Sequence, residues 1–257
     1  MLDLDNCDRP FLYCIPDELL IRSCSTASKS LVCFKSLKAL SLKSVGVSNG
    51  AIELLLDNCP LLEQLTVHRL VKISKLEICG SSLMLKDVEI YNCHSLESIK
   101  VSLPRLTALT LSHVKGLLLE NVSMLVNVSV WSHDDNISME NLFDALSCCI
   151  SQLETLKLDL FNPDCSRREK DELCTLPQMP KLKKLVVKYI ARGDESLVRL
   201  AALLMLSPYL EEFVFKFNWF ELPREDRGVK DAVTIPYHHL KVFKSFVAIM
   251  VVLMMLN

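Results

Sequence analysis

Apolar residues recur along this chain with a fixed internal spacing. Nine segments follow the pattern apolar-x-x-apolar-x-apolar, and their first residues lie 19 to 30 positions apart. These first residues are Leu37, Leu62, Leu85, Leu106, Leu125, Leu153, Leu182, Leu210 and Leu240. The last two apolar positions of each segment are separated by one residue, which is the period of a β-strand. The pattern predicts nine short strands, of which the ninth is degraded because Ser245 replaces its third apolar residue.

Segments of this form at this spacing are the signature of leucine-rich repeats (LRRs). Each repeat contributes one strand to a parallel sheet, and stacked repeats bury a continuous core. We therefore expect an α/β leucine-rich-repeat solenoid, a horseshoe with a parallel concave sheet. The last two apolar residues of each motif should face the core, and the residues between and after them should line the concave face.

The connections between the predicted strands differ between the two halves of the chain. The same apolar spacing recurs at 73–78 and 96–101, about half a repeat after a main motif. These additional segments predict strands on the convex side in the first half. Capping residues followed by apolar periodicity predict helices over 51–59, 139–149, 167–174 and 195–206. We expect one solenoid domain over 1–257. It is divided into short strand-rich repeats in 1–150, longer helix-backed repeats in 151–235 and an incomplete end in 236–257.

Charge and hydropathy argue against two classes of partner. The formal net charge is −2 and the pI is near 6.3, which provides no positive field for a phosphate backbone. The long apolar run at 246–256 would span roughly 16 Å as a helix, against the ~30 Å of a bilayer core. We expect neither a nucleic acid partner nor membrane insertion.

Cysteine usage and the first residues indicate a reducing compartment. The chain has 11 cysteines, an odd number, and it begins with an acidic octapeptide that lacks the pattern of a secretory signal. We expect a cytoplasmic or nuclear protein in which most thiols are small buried apolar groups.

Motifs for catalysis, metal binding or cofactor binding are absent from the sequence. No Cys-x-x-Cys or His-x₃-His spacing occurs, and the six glycines form neither a phosphate-binding loop nor a nucleophile elbow. We expect no metal, no cofactor and no enzyme activity. A constellation assembled in three dimensions from the six histidines and the carboxylates stays open as the remote alternative.

Several stretches outside the leucine pattern carry a family resemblance. They are Leu-Leu-Asp-Asn-Cys-Pro-Leu-Leu-Glu-Gln-Leu ending at Leu65, the Asn-Cys pairs at 6–7, 58–59 and 92–93, Ser-Pro-Tyr-Leu-Glu-Glu-Phe at 207–213 and His-Leu-Lys-Val-Phe at 239–243. With these stretches the chain resembles the LRR portion of plant F-box/LRR proteins of the FBD type. The end of the chain departs from that type, because Ser245 interrupts the last motif and a hydrophobic tail follows it.

The resemblance implies a protein-interaction module that recognises substrates for an SCF-type E3 ubiquitin ligase. In such proteins an F-box docks a SKP-type adaptor of a cullin ligase, and the repeats bind the protein target. The stretch Ile-Pro-Asp-Glu-Leu-Leu at 15–20 is similar to the opening of an F-box, but the polar stretch at 22–29 departs from it. We interpret 10–33 as a connection between the first two repeats, and expect the chain to lack a recognisable F-box.

A second function stays open beside the first. Without an F-box the chain could be an LRR scaffold, or a competitor of a full-length protein, with no link to a ubiquitin ligase.

The first repeat lacks its leading leucine, because Leu2 and Leu4 align with Val88 and Ile90. We therefore expect a fragment, a shortened gene product or a chain without its N-terminal partner domain.

Residues that follow the third apolar position of each motif form a column on the predicted concave face. Aromatic, His and Arg side chains bury much area with few rotatable bonds and keep a polar group, so they often dominate protein interfaces. The candidates for binding a protein target are His68, Arg69, Tyr91, His113, Trp131, Lys188, Tyr189 and Lys216. The alternative is that these side chains only cover the sheet.

Two local runs fit the repeat register. In the run at 181–188 the apolar residues face the core, and the lysines are solvated positions. In the aromatic run at 213–220, Phe213 and Phe215 are core residues by register, whereas Phe217, Trp219 and Phe220 are core residues, loop packing or an exposed anchor.

Overall fold

A computed structural model describes nine stretches of the chain and divides it into two compact units. The described residues are 2–4, 13–14, 34–70, 73–112, 116–131, 139–162, 177–191, 203–219 and 239–249. The first unit is Met1–Val126 and the second is Asn127–Asn257. Each unit is built around parallel strands, as the repeat pattern predicts.

The first unit contains ten described strands and one described helix. Its strands are β1 (Leu2–Leu4), β2 (Tyr13–Cys14), β3 (Ala39–Lys43), β4 (Val45–Gly46), β5 (Gln64–His68), β6 (Lys75–Cys79), β7 (Asp87–Tyr91), β8 (Ser98–Ser102), β9 (Ala108–Leu111) and β10 (Leu117–Glu120). Helix α1 (Asn49–Asp57) connects β4 to β5. Strand β2 pairs with β4 and lies inside the segment 10–33 that we interpreted as a connection.

The main sheet of the first unit has the parallel order β1-β3-β5-β7-β9. In register, Leu40, Leu65 and Val88 are neighbours on adjacent strands, and all three are buried. The third apolar positions form a second buried row one layer further along the strands. The prediction that these two positions face the core is confirmed for the motifs of the first unit, whereas Phe243 of the ninth motif is 61% exposed.

A smaller parallel sheet forms the other side of the first unit, with the order β10-β8-β6. Its core residues alternate with less buried ones, as in the pairs Leu76 with Ile78 and Ile99 with Val101. The motif-like segments at 73–78 and 96–101 correctly predict β6 and β8. They miss β10, because its run of three leucines at 117–119 lacks the motif and shows its alternation only through the exposure of Leu118.

Two of the four predicted helices lie in described residues. Helix α1 begins after Ser48, whose Oγ accepts a hydrogen bond from the Ala51 amide at 3.1 Å, and it ends at Asp57 instead of at Cys59. Helix α2 (Met139–Leu146) begins where predicted and ends three residues early, and a short 3-10 helix (Ile150–Gln152) follows it. The predicted helix at 167–174 lies outside the described residues, as does 195–206 except for its last four residues.

The second unit contains longer strands than the motif predicts. They are β11 (Asn127–Trp131), β12 (Thr155–Asn162), β13 (Lys184–Ala191), β14 (Glu212–Trp219) and β15 (Val242–Ile249), paired in parallel in this order. The strands continue past the motif in this half, and the last four strands each span eight residues. The degraded ninth motif, despite Ser245, forms the complete strand β15.

Strands of the first unit end in a different way. Ser44, Arg69 and Asn92 follow β3, β5 and β7, and each has a positive φ between 53° and 56°. This left-handed turn ends the strand, and the chain then returns to the core at Val45, Leu70 and Cys93, all of which are buried. The end of the strand therefore differs between the units, which decides where the candidate side chains lie.

Ion pairs connect successive repeats where the strands begin. Glu63 contacts Lys86 at 2.8 Å and Lys38 at 3.8 Å, and in the second unit Lys183 pairs with Glu154 and Lys241 with Glu211. The hydrogen bond and charge of Lys86 lower the pKa of Glu63 below its usual value. In the run at 181–188, Lys181 and Lys183 are exposed as predicted, whereas Lys184 and Lys188 are half-buried. Three of these four lysines also pair with neighbouring repeats.

Candidate functional site

The candidate site in each unit is the polar face of the main parallel sheet. On that face the first, third and fifth positions of each strand form rows that run across the sheet. In the first unit, the fifth positions Lys43, His68 and Tyr91 are neighbours in register. In the second unit, the corresponding row contains Trp131, Asp159, Lys188, Lys216 and Phe246.

His68 and Tyr91 form the aromatic centre of the first-unit row. Their ring centroids lie 4.2 Å apart with an interplanar angle of 25°, which is a stacked arrangement. The side-chain Nδ2 atom of Asn92 lies 3.1 Å from His68 Nε2. The backbone N–H of Asn92 donates a hydrogen bond to Ser112 Oγ at 2.8 Å. The structure therefore brings two sequence-predicted residues into one ordered cluster.

Arg69 lies beside this cluster but outside the strand. Its positive φ places it in the turn after β5, where its backbone amide donates a hydrogen bond to the carbonyl oxygen of Tyr91 at 3.2 Å. Its side chain is exposed. His113 lies outside the described residues.

A shallow depression of about 170 Å³ opens on the same face of the first unit. It is lined by Ala39, Leu40, Ser41, Lys43, Gln64, Thr66, Glu89 and Tyr91. Within it, Thr66 Oγ1 donates a hydrogen bond to Glu89 Oε2 at 3.4 Å. Ser41 is only 7% exposed, and its Oγ has no hydrogen-bond partner in the described part of the chain.

Asp87 occupies the first position of β7 on this polar face, in register with Gln64 and Ala108. Partial burial raises the pKa of Asp87 above its ordinary value of 3.8. The described residues supply no ion-pair partner for this carboxylate. Asp87 and Glu89 therefore lie at neighbouring polar-face positions of β7.

The second-unit row combines an exposed indole with an ion pair whose carboxylate is buried. Trp131 is 45% exposed, whereas its neighbour Asp159 is 7% exposed. Lys188 Nζ donates a hydrogen bond to Asp159 Oδ2 at 2.7 Å, and Lys216 on the next strand is exposed. The other carboxylate oxygen, Asp159 Oδ1, is buried and has no hydrogen-bond partner among the residues that the structure describes.

The structure corrects the face that the sequence assigned to Tyr189. Because β13 continues past Lys188, Tyr189 alternates to the side of the sheet that holds Leu185 and Val187. There it stacks on Phe217, with ring centroids 5.7 Å apart, and Phe217 itself is buried. Tyr189 therefore does not share a face with Lys188 and Lys216, and Phe217 is a core residue.

Asp159 belongs to the predicted column of residues that follow the third apolar position of each motif, but the sequence analysis did not choose it as a binding candidate. The sequence also did not reveal the depression at Ser41. The signal available for Asp159 was a lone acid among lysines at the same motif position, namely Lys43, Lys188 and Lys216. Nothing in the linear pattern distinguishes a buried carboxylate from a solvated one at such a position.

The described thiols differ in exposure and in reactivity. Cys59, Cys93 and Cys149 are buried, whereas Cys79 and Cys148 are exposed. Burial, together with the neighbouring Cys148, raises the pKa of Cys149 to about 12, so this thiol stays protonated at neutral pH. Within the described stretches, no group of three or more His, Cys, Asp or Glu side chains is arranged to hold a metal ion.

The helices of the described residues include none that is both long enough and apolar enough to cross a membrane.

Parallel strands whose motif leucines stack in register define this chain as a leucine-rich-repeat protein. A family model described as the LRR domain of At1g61320/AtMIF1 matches residues 17–242, which is most of the chain. The chain therefore belongs to the At1g61320/AtMIF1 LRR family. Comparison with curated proteins and comparison with solved structures gave no significant match.

Proposed function

We propose that this chain is a protein-binding module whose contact surface is the polar face of its parallel sheets. The observation that carries the proposal is the second-unit row, in which Trp131 is 45% exposed beside a buried carboxylate with an unused acceptor. Tryptophan is among the residue types that most often dominate a protein interface. The absence of catalytic motifs from the sequence favours binding over catalysis.

The stacked pair of His68 and Tyr91 supports the same function in the first unit. The ring contact and the nearby Asn92 limit the motion of both side chains before a partner arrives. Side chains that are ordered in advance lose little conformational entropy on binding. We propose that each unit contributes its own contact residues, with Lys188 and Lys216 beside Trp131 in the second unit.

We further propose that the bound protein is a substrate of an SCF-type E3 ubiquitin ligase, in the cytoplasm or the nucleus. The support is the resemblance of the stretches ending at Leu65 and at Phe213 to F-box/LRR proteins of the FBD type. The similarity of 15–20 to the opening of an F-box suggests where a SKP-type adaptor would bind. The polar stretch at 22–29 favours the second candidate, a scaffold or competitor that binds the target without the ligase.

Affinity capture from plant cell extract tests the binding module. The tagged chain is compared with its Trp131→Ala and Tyr91→Ala variants, and retained proteins are identified by mass spectrometry. The control is Met124→Ala/Tyr209→Ala, which removes two side chains that are 53% and 55% exposed and lie outside the strands. We expect specific proteins to be lost from the Trp131→Ala and Tyr91→Ala samples and retained by the control. Equal capture by all folded variants would refute the proposed surface.

The same experiment separates the two candidate roles. Recovery of a SKP-type adaptor together with a cullin, independent of Trp131 and Tyr91, would support substrate recognition for a ubiquitin ligase. Recovery of target proteins alone would support the scaffold or competitor.

A further inference from the structure

The polar face of the second unit carries an excess of positive charge. Its rows contain the lysines and carboxylates Lys157, Lys184, Lys188, Lys216, Lys244, Asp159 and Glu212. Five positive and two negative charges leave an excess of three positive charges on this face, although the whole chain has a net charge of −2. The rest of the chain is therefore more acidic than the total suggests, and the positive charge is local to this face.

Among the described residues, no carboxylate pairs with two of these lysines. Glu212 is shared by Lys184 at 2.7 Å and Lys244 at 3.8 Å, and Asp159 is paired with Lys188. Lys157 and Lys216 are both exposed and have no ion-pair partner within the described stretches. At the beginning of the same strands, by contrast, each of Glu154 and Glu211 lies opposite a lysine of the next repeat.

Asp159 adds a requirement for a hydrogen-bond donor. An ionised carboxylate only accepts hydrogen bonds, and a buried acceptor without a donor is costly. Oδ2 is satisfied by Lys188, whereas Oδ1 is buried without a partner. A ligand that fits this row must therefore bring an N–H or O–H group to Oδ1 as well as negative charge to the lysines.

We infer that the row of Trp131, Asp159, Lys188 and Lys216 binds an extended acidic segment of a protein partner. Carboxylates of the segment pair with Lys157 and Lys216, a backbone amide donates to Asp159 Oδ1, and an apolar side chain covers the Trp131 indole. A phosphate backbone fits less well, because it lacks such a donor and would meet the carboxylates of Asp159 and Glu212. The inference rests on the proposed binding function and names the class of partner.

A labelled acidic peptide tests the inference directly. Five strands spaced about 4.8 Å apart span roughly six extended residues, so a probe of about ten residues is long enough. The probe is a fluorescein-labelled Glu/Asp-rich peptide with one Leu, and binding to the whole chain is followed by fluorescence anisotropy. We expect binding that weakens as salt increases, since salt screens exposed charges.

Charge reversal provides a matched pair of variants. Lys157→Glu/Lys216→Glu changes two exposed lysines of the polar face, and Lys35→Glu/Lys181→Glu changes two exposed lysines outside the strands. We expect the first pair to weaken probe binding by about tenfold or more and the second to leave it nearly unchanged. Trp131→Ala should also weaken binding, without altering its salt dependence. Circular dichroism melting confirms that each variant is folded.

Three outcomes would overturn the inference. These are no binding of the acidic peptide at low salt, equal weakening by both charge-reversal pairs, and tighter binding of a single-stranded DNA oligonucleotide than of the peptide. The capture experiment keeps this failure separate from failure of the proposed function. If Trp131→Ala still loses its captured proteins while the acidic peptide does not bind, the protein-binding surface stands and the acidic partner does not.

Discussion

At the residue scale, Asp87 shows how a position on the polar face affects stability. Partial burial raises its pKa, so the folded chain binds this proton more readily than the unfolded chain does. The contribution of Asp87 to the free energy of unfolding is therefore most favourable below the ordinary pKa of 3.8, and it decreases as the pH rises through the folded pKa. At neutral pH the charged form destabilises the fold.

We predict that Asp87→Asn raises the urea midpoint of unfolding at pH 7. The gain should shrink as the pH falls through the raised pKa of Asp87 toward the ordinary value of 3.8, because the folded parent chain takes up this proton more readily than the unfolded chain. The control is Glu53→Gln, which neutralises an exposed carboxylate on α1. A gain from Asp87→Asn that is independent of pH would contradict the explanation by burial.

At the element scale, two glycines have opposite roles. Gly116 precedes β10 with φ +65°, and its carbonyl oxygen accepts a hydrogen bond from the Ile99 amide at 3.0 Å. A Cβ atom at this position would clash with the Glu97 carbonyl oxygen. Gly50 lies in the first turn of α1, where the nearest atom to an added Cβ is Ser48 Oγ at 4.0 Å. Only the first glycine is required by the backbone.

We predict that Gly116→Ala destabilises the chain by at least ~1–2 kcal/mol, because alanine resists the left-handed conformation. The matched substitution Gly50→Ala should stabilise by about 0.5 kcal/mol, since alanine restricts the unfolded chain and favours the helix. Thermal and urea unfolding of both variants measure the two effects. Equal changes in the free energy of unfolding of both variants would argue against the left-handed conformation of Gly116 and its close approach to Glu97.

At the scale of the whole molecule, stability is distributed along the repeats. Leu185 on β13 is fully buried, and its in-register neighbours are Leu156 on β12 and Phe213 on β14. In a repeat array each unit contacts mainly its neighbours, so the loss of one core residue acts first on the adjacent repeats.

We predict that Leu185→Ala lowers the free energy of unfolding by about 2–5 kcal/mol. Amide hydrogen exchange read by mass spectrometry should show the largest loss of protection in β12, β13 and β14, with smaller losses in β11 and β15. Lys183→Ala, which removes an exposed side chain from the same repeat, is the control. Equal loss of protection across all five strands would mean that the second unit opens as one cooperative body.

The repeats, their strands and their core were predictable from the sequence because they depend on local periodicity. Leu40, Leu65 and Val88 are buried because an apolar residue at every second position of a strand faces one side. The start of α1 was predictable because Ser48 caps it through a hydrogen bond to a residue three positions away. These interactions involve residues close in the chain, and the sequence contains their full pattern.

The candidate site was predictable only in part. His68, Tyr91, Trp131, Lys188 and Lys216 lie on the polar face as the register predicts. Tyr189 does not, because the length of β13 past the motif decides its side of the sheet. That length depends on pairing with β12 and β14, which is a property of the assembled sheet.

The sequence by itself determined the repeat class, the buried positions of the first-unit motifs and the polar-face positions of His68, Tyr91, Trp131, Lys188 and Lys216. Tertiary structure decided that Asp159 and Lys188, 29 residues apart, pair at 2.7 Å, and that Ser41 lies buried in a depression. It also decided β10, the third strand of the smaller sheet, which has no motif of its own. The physical reason is that side-chain alternation is a local property, whereas contacts between repeats depend on strand register and on the length of each connection.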